Sequence, residues 1–143
     1  MKITTLDWDT ARQYADPIRR AVFIEEQSVP EAMEWDNLDS GAVHALAFNE
    51  QNEAVGYARL LHTHQLGRMA VLPEYRHRGV GTRLMNILEE AARERHFDHI
   101  FLHAQVQALT FYERQGYAPQ GAPFEEAGIP HLLMIKLLGE NDV

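Results

Sequence analysis

The sequence predicts a mixed α/β fold of the α+β kind: a twisted mixed sheet of about seven strands with helices on both faces. Three observations predict it. Short apolar or alternating runs, bounded by Gly, Pro, Asn and Asp, recur along the chain and read as strands. Two stretches carry helical periodicity instead. Their order is an early helix, an antiparallel meander, then β-α-β-α-β-β, which suits one sheet covered on both sides. At 143 residues the chain has room for one real core, so a single domain over residues 1–143 is expected.

The elements follow in order. Residues 3–8 read as the first strand. Asp9 or Thr10 can cap a helix running to about residue 27, with Pro17 complicating its middle. Ile18, Ala21 and Val22 share one face of it, and Arg19, Arg20, Glu25 and Glu26 fall near its C-terminus. Residues 28–40 form a polar, acidic loop carrying Trp35. Residues 42–48 and 55–61 are two strands of a hairpin turning at 49–53. His62 and His64 alternate onto one strand face. Two such histidines can bind zinc, but no third ligand is evident in the sequence, so no metal is expected.

Residues 65–71 make the next strand, and Pro73 ends its ladder because it has no N–H to donate. The helix beginning near Val80 puts Leu84, Met85, Ile87, Leu88, Ala91 and Ala92 on one face. Arg83, Asn86, Glu89, Glu90, Arg93 and Glu94 fill the other. Residues 100–104 are a short buried-looking strand. A short helix over 106–115 stops at Gly116 as at a C-cap. Residues 117–124 and 132–138 are the last two strands, and residues 139–143 should fray.

Composition narrows the function. The absence of cysteine excludes disulfides, thiolate metal sites and a cysteine nucleophile. No signal-peptide region and no membrane-length apolar run are present, so a cytoplasmic protein without membrane contact is expected. The net charge of −8 argues against nucleic-acid binding. Yet Arg68, Arg76, Arg78 and Arg83 stand against Glu74 alone in residues 68–83, a basic island in an acidic chain.

That island is centred on a glycine turn, Arg76-His77-Arg78-Gly79-Val80-Gly81-Thr82. A helix that follows such a turn offers unpaired N–H groups and the positive end of its dipole. Glycines at 79 and 81 allow close approach and positive φ. This is a site for a phosphate or diphosphate. Two familiar phosphate loops do not fit: the dinucleotide pattern needs glycine where Leu84 stands, and a P-loop needs Gly-Lys-Ser/Thr where Gly81 is followed by Thr82 and Arg83. The pattern met is Arg/Gln-x-x-Gly-x-Gly/Ala, by Arg76, Gly79 and Gly81. A second stretch runs from Ala108 through Phe111 and Tyr112 to Gly116 and Tyr117.

These two segments resemble the acetyl-CoA pyrophosphate loop and the Asn-x-x-Ala-x-x-Phe/Leu-Tyr-x-x-x-Gly-Phe/Tyr segment of the GNAT superfamily of N-acetyltransferases. Gln105 stands where the usual Asn would be. Arg20-Ala21-Val22-Phe23-Ile24-Glu25-Glu26-Gln27, His103-Ala104-Gln105 and Glu126-Ala127-Gly128-Ile129-Pro130-His131 are similar to the small bacterial ElaA/YjcF-like branch. The resemblance covers nearly the whole chain. It implies a GNAT-like domain and an N-acyltransferase using acetyl-CoA as co-substrate.

By that resemblance the cofactor lies against Met69, Ala70, Val71, Arg76, His77, Arg78, Gly79, Val80, Gly81, Thr82, Gln105, Phe111 and Tyr112. N–H groups of residues 78–82 hold the diphosphate, the Val71 N–H meets the thioester oxygen as it gains charge, and Tyr112 is the general acid for the leaving thiolate. Glu26, His103, Glu126 and His131 are chemically able to take the amine proton, with Glu26 and His131 preferred. The acceptor expected is a primary amine of a small molecule, attacking directly in a ternary complex. A protein N-terminus or lysine, a non-catalytic acyl-CoA-binding module and a homodimer stay open.

Overall fold

A computed structural model describes residues 1–139 of the chain; of the tail expected to fray, residues 140–143 lie outside the described residues. Seven strands are present among the described residues. β1 (Lys2–Leu6), β2 (Val43–Phe48), β3 (Ala54–Leu60) and β4 (Leu66–Val71) form an antiparallel meander in chain order. β5 (His99–Gln105), β6 (Ala118–Glu126) and β7 (Ile129–Leu137) form a second sheet, ordered β5-β7-β6. The two meet where β4 and β5 run parallel. Gln65 pairs with Phe101 there, and the Phe101 N–H donates to the His64 carbonyl at 3.2 Å.

The sheet read as continuous from the sequence is therefore joined at one end of this seam and open along the rest. A bulge accompanies the opening. The β3–β4 register slips between Tyr57 and Arg59, opposite Arg68, whose φ is +53°. A bulge bends its strand and increases its twist, which turns β4 away from β5.

Helices cover both faces. α1 (Trp8–Arg19) continues as a π-helix over Arg20–Glu26, and α2 is one turn at Glu31–Glu34. α3 (Val80–Glu94) and α4 (Leu109–Arg114) follow. β2 shows why the sheet strands are apolar on both sides. Ala45 and Ala47 join Leu84, Met85 and Leu88 of α3, whereas Leu46 and Phe48 join Ala11, Ala15 and Ile18 of α1. Each large side chain fully buried in these layers contributes about 1.5–3 kcal/mol.

Three expectations are corrected. The first helix starts earlier: Asp7 accepts from the Thr10 N–H at 3.0 Å, so Asp7 is the cap and Trp8 is helical, its ring tilted against His44 with centroids 4.7 Å apart. The acidic segment 28–40 is not a plain loop. Glu34 and Asp39 are buried against Arg19, and Asp36 pairs with Arg59 and Arg68, which pins α2 over β3 and β4. Glu89 is not solvated: it is buried, accepting from the Tyr117 hydroxyl at 2.9 Å and from Lys136 at 3.0 Å.

Candidate functional site

The open seam is the floor of a cleft of about 870 Å³. At one end stands the glycine turn. Gly79 caps α3 with φ +80°, a conformation that β-branched residues avoid, and its Cα faces open space. Gly81 lies against Phe111: a Cβ there would come within 3.2 Å of the ring. The first helical bond closes from the Arg83 N–H to the Gly79 carbonyl, so the N–H groups of Val80, Gly81 and Thr82 have no partner within the helix. His77, Arg78 and Gly79 are exposed beside them.

The end of β4 presents a peptide edge to the seam. The Leu72 N–H donates to the Val55 carbonyl at 2.9 Å. Strand alternation then turns the N–H and C=O of Val71 to the opposite edge, towards β5. The Arg76 Nε donates to that carbonyl at 2.8 Å. The remaining Arg76 nitrogens form a two-pronged pair with Glu26 at 2.6 and 2.8 Å. Arg76 thereby ties the end of the π-helix to the end of β4. Its hydrogen bonds to Glu26, aided by its charge, hold that carboxyl below the usual carboxylate range.

Tyr112 lines the cleft from α4, its ring edge-on to Phe111 at 5.1 Å. Burial is the one influence on its hydroxyl, and it pushes the pKa up to about 12. Met69, Ala70 and Gln105 also line the cleft, and the Gln105 amide donates to the Gln27 side chain at 2.8 Å across the seam.

At the other end three of the four candidate bases come together. Alternation along β5 sends Ile100, Leu102 and Ala104 under α3 and His103 to the opposite face. The β6–β7 hairpin turns at Ala127 and Gly128, both at positive φ, which sets Phe124 opposite His131. Glu126 then lies between two histidines. His103 Nδ1 is 2.9 Å from its Oε1, and His131 Nε2 is 3.9 Å from its Oε2. His131 Nδ1 is 2.6 Å from the Ile129 carbonyl oxygen. A carbonyl only accepts, so Nδ1 carries the proton and Nε2 keeps a lone pair facing Glu126.

Sequence reasoning missed the bulge at Arg68 and the seat of Glu126 between two histidines. The Ala-Gly pair in the hairpin was the available signal for the second. Glu26 is the preferred candidate that the fold leaves apart from this group.

Comparison with protein families matches residues 9–138 to the acetyltransferase (GNAT) domain. The chain is 39% identical over 146 residues to the uncharacterized protein YyaT of Bacillus subtilis (strain 168), covering 99% of each. Among solved structures it is similar to Escherichia coli ElaA, with a TM-score of 0.85 and 28% identity over 95% of this chain and 99% of that one. An acyl-CoA N-acyltransferase from Pseudomonas aeruginosa gives a TM-score of 0.83 and 26% identity, again over 95% and 99%.

Proposed function

Since this chain belongs to the acetyltransferase (GNAT) family, we propose that it moves an acetyl group from acetyl-CoA to a primary amine of a small molecule, directly, within one ternary complex. One observation carries this reading. A single cleft runs from the free N–H groups of α3, past Tyr112, to Glu126 and His131.

Each part then has a task. The N–H groups at 80–82, with Arg78 and His77 beside them, hold the diphosphate. Arg76 acts through Val71: it fixes the peptide whose N–H stabilises the oxygen of the thioester as charge builds there. The amine arrives as ammonium. Glu126 Oε2 and His131 Nε2 are 3.9 Å apart, so one ammonium nitrogen reaches both at about 2.8 Å. His131 takes one proton, and the freed amine attacks the thioester carbon. The carbon–sulfur bond breaks, Tyr112 donates its proton to the departing thiolate, and the nitrogen, acidic once bonded to the carbonyl carbon, gives its second proton to Glu126 Oε2, which it already touches. His103 anchors the second oxygen of Glu126. Glu26 has no part as base, because its pair with Arg76 lowers its affinity for a proton.

Two measurements test the reading in turn. Desulfo-CoA should raise the melting temperature, since a ligand selective for the folded state stabilises it. Acetyl-CoA offered with a panel of amines should then release thiol only when a suitable amine is present. Stabilisation without release on any amine would instead mean a binding module.

A further inference from the structure

His64 closes the turn before β4 and His99 opens β5, so they stand side by side where the two sheets are joined. One donor atom each from His64, Asp98 and His99 lies within 4.8 Å of the others. The His64 and His99 rings are 4.5 Å apart. His64 Nδ1 is 3.0 Å from the His99 carbonyl oxygen, which accepts its proton and leaves Nε2 with a lone pair. A second ring nitrogen committed to a backbone carbonyl is how metal-ligating histidines are commonly oriented. The His64 ring is also stacked on Phe97 at 3.8 Å and 8°, with its backbone at φ +80°. His99 Nδ1 is 2.6 Å from Asp98 Oδ1.

We propose that His64, Asp98 and His99 bind a divalent transition-metal ion of the zinc class, outside the acetyl-transfer cleft. Two imidazoles and one carboxylate suit zinc, copper or nickel rather than magnesium or calcium. Tetrahedral zinc, with bonds of about 2.0–2.2 Å, needs donors roughly 3.4 Å apart. Asp98 is exposed and His99 partly so, and rotation of these side chains closes the remaining distance. Water completes the shell. None of the three residues lines the cleft. The ion ties the start of β4 to the start of β5, reinforcing the Gln65–Phe101 bridge. His62, the sequence neighbour first paired with His64, is exposed and outside this group.

The test is calorimetric titration of the chelator-treated full chain with zinc chloride. The wild type and His62→Gln should each take up one zinc with equal affinity. His64→Gln and His99→Gln should bind at least about tenfold more weakly. Imidazole ¹⁵N spectra of the wild type give a measurement that no misfolded variant can confuse: zinc should move the His64 and His99 ring signals and leave that of His62. Absent uptake, uptake unchanged in His99→Gln, loss in His62→Gln, or shifts confined to other histidines overturns the proposal.

Discussion

Tyr112 and Glu26 show how far a residue's place relative to the cleft can be read in advance. The tyrosine was legible because its neighbours Phe111, Gly116 and Tyr117 form a local pattern, and the structure sets it in the cleft with its hydroxyl raised to about 12 by burial. A phenol held protonated across the ordinary pH range is a loaded donor. Tyr112→Phe keeps the ring and removes only that proton, so turnover should fall about 10²-fold while CoA affinity, measured by calorimetry, stays unchanged. Loss of CoA binding instead would make it a cofactor-holding residue. The pairing of Glu26 with Arg76 was not legible, because the two lie far apart along the chain and no local pattern announces such a pair. Glu26→Gln removes the carboxylate but leaves Arg76 a hydrogen-bond acceptor. Steady-state assays should show retained turnover; a fall of about 10²-fold would make Glu26 the base.

At the scale of elements, α3 was plain in its periodicity, and its glycine turn was plain in its composition. Gly81→Val tests the turn as a ligand site. The added side chain meets the Phe111 ring and blocks the backbone approach. CoA binding should therefore weaken far more than the melting temperature drops; equal losses would make Gly81 a packing glycine. Gly79→Val is a less clean probe, because at φ +80° it strains the folded backbone by about 1–2 kcal/mol. The order within 28–40 was not legible, since it depends on arginines from three other elements. Burial works to raise the pKa of Asp36, but hydrogen bonds and charge from Arg59, with Arg68 behind them, bring it down to about 2. The folded carboxylate thus holds a proton less tightly than the unfolded one. Its contribution to stability is complete above about pH 4 and is lost as pH falls towards 2. Urea unfolding of Asp36→Asn should show a shallower loss of stability over that window than the wild type; parallel curves would remove Asp36 from the account.

Across the whole molecule, strands and helices could be counted from periodicity, but the seam between β4 and β5 could not be found that way. Periodicity marks which residues face a core. It does not say which strand edge stays unpaired, and here that edge is decided by a bulge at Arg68 and by β5 pairing with β7. The open edge is what lets one cleft run from the α3 terminus to Glu126 and His131, the two ends between which the proposed transfer takes place. Direct transfer within that cleft is the central claim. It is tested most directly by initial rates of thiol release with acetyl-CoA and the best amine both varied. Release should require the amine, and the double-reciprocal lines should intersect, as a ternary complex demands. Parallel lines, or release indifferent to the amine, would contradict it.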